Sequence, residues 1–299
     1  MRPLLLGLVA LGSLAAWAPS SARAEAEPLR VATLLPYVDD ALARMPAPRV
    51  RVVATVRRSM HEAARAGVVD LGTPHAPSLE SLAVARPDVV VGDVSMHARL
   101  AENVAPLGAE LLLLDSSSVA ATFEGLERLA VQAGVAAEMQ REIDASRAAL
   151  AQLALDAPVP TLALFGTAAR WLVVTERSWL GDLLGALRFD SVSKHAGGAE
   201  RIPGYAEISD EQIATTRPAL VLVVTHGDPR AIRTSLDQKI GPQGAWSGVA
   251  RSATAGVHVL DPATFTVNPG LALPDAAREL VALARGDGAS ASPAVGAAR

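Results

Sequence analysis

The sequence predicts a mixed α/β protein: two lobes with parallel-sheet cores joined by one long spine helix. Three observations predict it. Short β-branched runs alternate with helix-period segments along the chain, the stretch from Ser118 to Ala157 carries no proline, and one helix–Pro–strand unit occurs twice at an offset of 131 residues. Strands separated by helices form parallel sheets covered on both faces, which makes each lobe Rossmann-like.

In order along the chain, Arg2, the apolar run Pro3 to Trp17 and the small-residue triplet Ala22-Arg23-Ala24 read as a signal peptide over residues 1–24. The apolar run is about 15 residues, short of the roughly 20 that span a bilayer, so cleavage and a mature start at Glu25 are expected. No cysteine follows to carry a lipid, and the expected location is the periplasm. Runs at Leu29 to Leu35, Val50 to Val56, Val89 to Val91 and Glu110 to Leu114 read as strands of a first lobe, residues 25–135. Ser118 to Gly134 reads as a helix, and a connecting helix from about Ala136 to Asp156 fills residues 136–157. Pro158 and Pro160 are expected to stop it, because proline lacks the amide and restricts its predecessor. Thr161 to Phe165, Leu220 to Thr225 and Val257 to Leu260 are strands of a second lobe, residues 158–285. Gly286 to Arg299 is Gly, Ala, Ser and Pro without a period and is expected to be a disordered tail.

The 299 residues are 50% hydrophobic, 19% charged and 3% aromatic, with no cysteine. That balance excludes a disordered or collagen-like chain, a disulfide scaffold, thiolate metal sites and cysteine nucleophiles. Chemistry falls to histidine, carboxylate, arginine and a few aromatics. Loss of Arg2 and Arg23 with the leader takes the formal charge from −4 to −6, a poor basis for binding nucleic acid. No other stretch reaches 18 uninterrupted apolar residues, so the mature chain is not expected to be membrane-embedded.

The repeat aligns Ser78 to Val90 on Ser209 to Val221 without gaps, with identical Ser, Glu, Ala, Arg, Pro and Val positions. Each copy offers a serine to cap a helix, a glutamate in its first turn, an apolar face, a proline break and a buried strand. Two carboxylates at equivalent first-turn positions, Glu80 and Glu211, would make a symmetric pair of charge-assisted contacts to a two-fold partner. The alternative is that each glutamate only complements its own helix dipole.

With these features the chain resembles the class III periplasmic binding proteins, which serve ABC importers of cobalamin, ferric siderophores, ferric citrate and haem. The resemblance spans roughly Leu29 to Ala284 and rests on Leu71 to Asp93, on Tyr205 to Ile213 and on Asn268-Pro-Gly-Leu-Ala-Leu-Pro274. It implies ligand held in a cleft between two lobes. It also implies docking of Glu80 and Glu211 onto arginine pockets of an ABC permease dimer.

Parallel α/β lobes bind ligands beyond the carboxyl ends of their strands. That rule selects Tyr37, Arg57, Arg58, His75 and His97 from the first lobe and Trp171, Tyr205, His226 and Phe265 from the second as ligand-binding candidates. Basic, imidazole and aromatic groups together suit a partly anionic, partly planar or apolar molecule. Each also has a plainer reading: Arg57 and Arg58 as a solvated loop, Trp171 and Phe265 as core, and the histidines as donors to nearby carbonyls. His61, His75, His97 and His226 lie at comparable ends of the lobes, but no helical i, i+4 pair or H-x-H spacing marks a resident metal site. Haem-binding relatives usually place a tyrosine where this chain has Thr73-Pro-His75.

Enzyme signatures are missing: there is no G-x-S-x-G, G-x-G-x-x-G or G-x-x-x-x-G-K-[ST]. His61-Glu-Ala-Ala-Arg65 ends in arginine where a zinc protease needs a second histidine, and adjacent Asp39 and Asp40 diverge on a helix. The sequence therefore points to a non-enzymatic, monomeric solute-binding protein without a cofactor. Its expected ligand is an iron chelate, a ferric siderophore or ferric citrate. Cobalamin, haem or a free metal ion are the alternatives within this class, and an exported hydrolase with an unrecognised site is the rival outside it.

Overall fold

The computed structural model describes residues 27–46, 49–56, 67–167, 170–194 and 198–287. The signal segment 1–24, Arg57, Arg58, His61 and the tail from 288 lie outside the described residues. The first half runs β1 (Leu29–Thr33), α1 (Pro36–Ala43), β2 (Val50–Thr55), β3 (Val69–Asp70), β4 (Gly72–Thr73), β5 (Ala76–Pro77), α2 (Leu79–Ala85), β6 (Val89–Asp93), α3 (Val94–His97), α4 (Ala101–Val104) and β7 (Glu110–Leu114). Its sheet has the order β3-β2-β1-β6-β7, with every neighbouring pair parallel. Short β4 and β5 form a separate antiparallel hairpin whose turn is Pro74-His75.

Helices α5 (Val119–Gln132) and α6 (Ala136–Ala151) follow. The second half continues through β8 (Val159–Gly166), β9 (Trp171–Val174), α7 (Trp179–Ala186), β10 (Phe189–Ser191), β11 (Tyr205–Glu207), α8 (Asp210–Thr215), β12 (Leu220–Thr225), α9 (Pro229–Ile240), α10 (Ser247–Ser252), β13 (Val257–Val259), α11 (Pro262–Phe265) and α12 (Leu273–Arg285). The expected parallel core is present as β8, β12 and β13, with β10 parallel to the first residues of β8. The sequence reading lacked the antiparallel edge: β9 turns back along the last residues of β8, and β11 pairs antiparallel with β9. Without that edge, the two sheets share one strand order, β2-β1-β6-β7 against β10-β8-β12-β13, and the two copies of the repeat lead into the equivalent strands β6 and β12.

Alternation along the strands sorts the core into layers. Ala32, Val90 and Leu82 pack on the outer face of the first sheet, and Leu162, Leu164, Trp171 and Val223 on the outer face of the second. The inner faces do not form separate cores. Val31, Val91 and Leu114 of one sheet and Ala163, Phe165 and Leu222 of the other belong to one continuous cluster with Phe123, Met139, Ile143 and Leu280 from α5, α6 and α12.

The connecting helix is shorter than expected, ending at Ala151 well before Pro158. Its end is set by tertiary contacts rather than by proline. The Leu155 amide donates to Leu187 O, and the Arg188 guanidinium donates to the carbonyls of Leu155 and Asp156 at 3.0 and 2.7 Å. Among the described residues no helix is long and apolar enough to cross a membrane.

Candidate functional site

The carboxyl ends of the strands in both sheets face a common seam. On the first lobe the β4–β5 hairpin projects His75 at its tip, half of a two-residue turn. On the second, His226 directly follows β12, its amide continuing the ladder to Gly166 O at 2.9 Å. The two imidazoles meet edge-on, with ring centroids 6.0 Å apart and planes at 82°. Phe165 stacks on His226 at 5.6 Å and meets Tyr205 at 4.6 Å. His75, His226 and Tyr205 are thus brought together by three different connections, with Phe165 as the floor beneath them. Burial pushes the Tyr205 phenol up to about 12, so it is a neutral donor throughout the physiological range.

The other candidates lie elsewhere. His97 is buried, and both ring nitrogens are engaged: Nδ1 accepts from the Asp93 amide at 2.8 Å and Nε2 lies 2.8 Å from the Pro74 carbonyl, which makes it the donor. This correction has a local cause. A Cβ on Gly92 would stand 2.8 Å from that of His97, so glycine lets the histidine fold back over its own strand and staple α3 to the hairpin that carries His75. Trp171 is a core residue on the opposite sheet face from Phe165, edge-on to Trp246 at 5.2 Å. Its remaining edge borders an outer hollow of about 290 Å³ with Arg170, Asp210 and Lys239, where Arg170 pairs with Glu207 and Lys239 with Asp210. Phe265 is likewise core, 1% exposed and stacked on Trp179.

Tyr37 is buried in the first turn of α1 under Gly270, and its hydroxyl has no hydrogen-bond partner among the described residues. Burial, with Asp93 and Asp115 adding to it, holds this phenol well above its usual range. Asp93 itself is satisfied, accepting from the Ser95 amide at 2.8 Å and from the hydroxyls of Ser95 and Ser116.

Phe165 is the site residue that sequence reasoning missed. Candidates follow from positions just after each strand, whereas Phe165 is inside one. Its signal was the alternation Ala163, Phe165 against Leu162, Leu164 at the carboxyl end of a recognised strand.

Away from the seam, the repeated units have the same local build. Ser78 accepts from the Ser81 amide and Ser209 from the Gln212 amide, the latter within a full capping box. Glu80 and Glu211 occupy the same second position of α2 and α8, and both are exposed. The backbone amide of Glu211, then the Ser209 hydroxyl, hold its carboxyl below the usual range.

Residues 31–259 match a family model described as periplasmic binding protein. Among curated proteins, the chain is 27% identical over 168 residues to the Fe(3+) dicitrate-binding periplasmic protein FecB of Escherichia coli (strain K12), an alignment covering 54% of each chain. The matched part therefore spans about half the length of that relative. Among solved structures it is similar to an ABC transporter substrate-binding protein from Listeria monocytogenes EGD-e, with TM-score 0.72, 21% identity and coverage of 86% of this chain and 98% of that one. A periplasmic heme binding protein from Pseudomonas aeruginosa gives TM-score 0.70 and 20% identity, covering 89% of this chain and 96% of that one. These two likenesses show the fold.

Proposed function

The chain belongs to the periplasmic binding protein family, and from that premise we propose that it is the periplasmic solute-binding component of an ABC importer, capturing an iron chelate between its lobes. The observation that carries this reading is the contact between His75 and His226, one imidazole from each lobe, backed by Phe165 and Tyr205. Imidazole and phenol N–H and O–H groups donate to the carboxylate, hydroxamate or phenolate oxygens around ferric iron, and the aromatic floor covers an apolar face. Ferric citrate and ferric siderophores are the first reading, supported by the dicitrate-binding relative. Arg57 and Arg58, which follow β2 in the chain, are proposed to add ionic contacts.

A second reading, haem, is supported by the aromatic residues beside the same pair. The edge-on His75 and His226 pair and the Phe165–Tyr205 aromatic contact offer imidazole donors beside a flat apolar floor, which suits a planar macrocycle such as the ligand named for the Pseudomonas aeruginosa heme binding protein. A free ion fits less well, because among the described residues no group of three or more His, Asp or Glu is placed to hold one. The family description is of binding rather than turnover, and release of unchanged ligand is expected.

Delivery is proposed to run through Glu80 and Glu211, docked on the two subunits of a permease dimer. Proposed boundaries are a signal peptide over 1–24, lobes over 25–135 and 158–285, and a monomeric mature protein. The test is titration of the mature protein with ferric citrate, a ferric siderophore and haemin, followed by intrinsic fluorescence and visible absorption. His75→Ala and His226→Ala should each weaken the preferred chelate at least about tenfold, the size of one good contact. Binding unaffected by either substitution would overturn the cleft assignment.

A further inference from the structure

The hairpin that carries His75 is weakly built. Its strands β4 and β5 are two residues each, pair only with one another and join neither sheet. None of residues 72–77 is buried, so no apolar side chain holds the unit down. A lone two-stranded hairpin of this kind is marginal in water. Its base is fixed by Leu71, whose amide donates to Thr55 O and whose carbonyl accepts from the Ser78 amide, both at 2.9 Å. At its tip, among the described residues, one hydrogen bond ties residues 73–76 to the rest of the first lobe: His97 Nε2 donates to the Pro74 carbonyl at 2.8 Å. That bond comes from a rigid support. His97 is 2% exposed, its Nδ1 accepts from the Asp93 amide at the end of β6, and the Asp93 carboxylate is held in turn by the hydroxyls of Ser95 and Ser116.

We infer that His97 is the positioning residue of the seam: through the Pro74 carbonyl it holds His75 against His226, and it sets ligand affinity without touching the ligand. This rests on the reading of the His75–His226 seam as the binding site and adds to it a residue that supports the site from behind. A ligand that needs His75 in place binds only those molecules whose hairpin stands at the seam, and its apparent affinity falls with that fraction. A side chain locked by packing and by a second hydrogen bond keeps the fraction high before any ligand arrives. The two ring nitrogens divide the work: Nδ1 keeps His97 on β6, and Nε2 keeps the hairpin on His97. Gly92 makes the arrangement possible, because a Cβ there would stand 2.8 Å from that of His97.

The experiment separates those two tasks with two substitutions in the mature protein. His97→Gln puts an amide nitrogen where Nε2 stands and offers no acceptor at the Nδ1 position, whereas His97→Asn puts an oxygen where Nδ1 stands and does not reach Pro74. Three readouts are taken: the thermal midpoint, amide hydrogen exchange over residues 72–76 without ligand, and affinity for two probes, ferric citrate and haemin, with His75→Ala as the reference. The Gln variant should melt lower than the Asn variant, because it strands the buried Asp93 amide. Binding should run the other way. The Asn variant should exchange faster across the hairpin and weaken the better-bound probe about tenfold, as His75→Ala does, while the Gln variant stays within about threefold of wild type. Affinity that follows the order of the melting points, or hairpin exchange that is equal in the two variants, would overturn the positioning role and leave the seam as binding site. Failure of both probes to bind wild type would overturn the iron-chelate reading, and hairpin exchange in the two variants would still decide whether His97 places His75.

Discussion

The side-chain amide of Asn268 crosses from the second lobe to the first and donates to Thr122 Oγ1 at 2.7 Å, joining residues 146 positions apart in the chain. The same amide reaches the Ser116 carbonyl at 3.1 Å, and Asn268 Oδ1 accepts from the Gly270 amide at 2.8 Å. Asn268→Ala should therefore cost about 2–3 kcal/mol, since buried partners are left unsatisfied. Thr122→Val should cost less, and the double variant should fall short of the sum because both changes remove one bond. Urea unfolding of the four proteins measures this; additive losses would show that the two side chains are not coupled.

Two residues on, Gly270 has φ +58°, and a Cβ there would stand 2.8 Å from the Tyr37 ring. Gly270→Ala should destabilise by about 2–4 kcal/mol, from left-handed strain together with overpacking. Tyr37→Phe should do the opposite and leave stability unchanged or up to about 1 kcal/mol higher, because it deletes a buried hydroxyl with no partner among the described residues. A destabilised Tyr37→Phe protein would mean that the hydroxyl is bonded after all.

Two glutamates should respond to pH with opposite sign. Glu211 is lowered from 4.5 by its own amide and then by Ser209, so its contribution is present above the unfolded value and is lost as pH falls through the folded one. Glu279 is raised, first by burial and then by Asp261, so its contribution is present in acid and is lost as pH rises through its folded value. Glu211→Gln should lower stability at pH 7 relative to pH 3, whereas Glu279→Gln should raise it. Thermal midpoints of both variants across pH 3–7 give the two signs directly.

If the permease reads both lobes, Glu80→Ala and Glu211→Ala should each reduce uptake in cells, and the double variant should abolish it at normal protein level and normal ligand affinity. Both side chains are exposed and second in their helices, so neither change should disturb the cleft. Uptake by the double variant at the wild-type rate would remove the docking assignment.

Much of this architecture was legible in residue order. The strand runs at Glu110–Leu114 and Leu220–Thr225 coincide with β7 and β12: both are parallel strands read as continuous apolar runs bounded by turn signals, β12 buried throughout and β7 half-buried at the sheet edge. The repeat anticipated both serine caps. What escaped depended on contacts between distant segments. Trp171 reads as a loop residue from sequence because nothing local shows that the chain reverses after Gly166 and returns as β9. Of the two readings of His97, ligand contact or donor to a carbonyl, residue order could not choose, because its partner Pro74 lies 23 residues upstream. Both faces of β9 are buried, so alternation there could not say which one meets the cleft.

The inner layers of the two sheets merge into a single apolar cluster that also takes in α5, α6 and α12. Neither half therefore owns a complete interior. A fragment cut between α6 and β8 would present half of that shared layer to water and would associate or precipitate rather than stand alone. The intact protein should melt in one step, its calorimetric and van't Hoff enthalpies agreeing, as one cooperative body with the proposed ligand-binding seam at its rim.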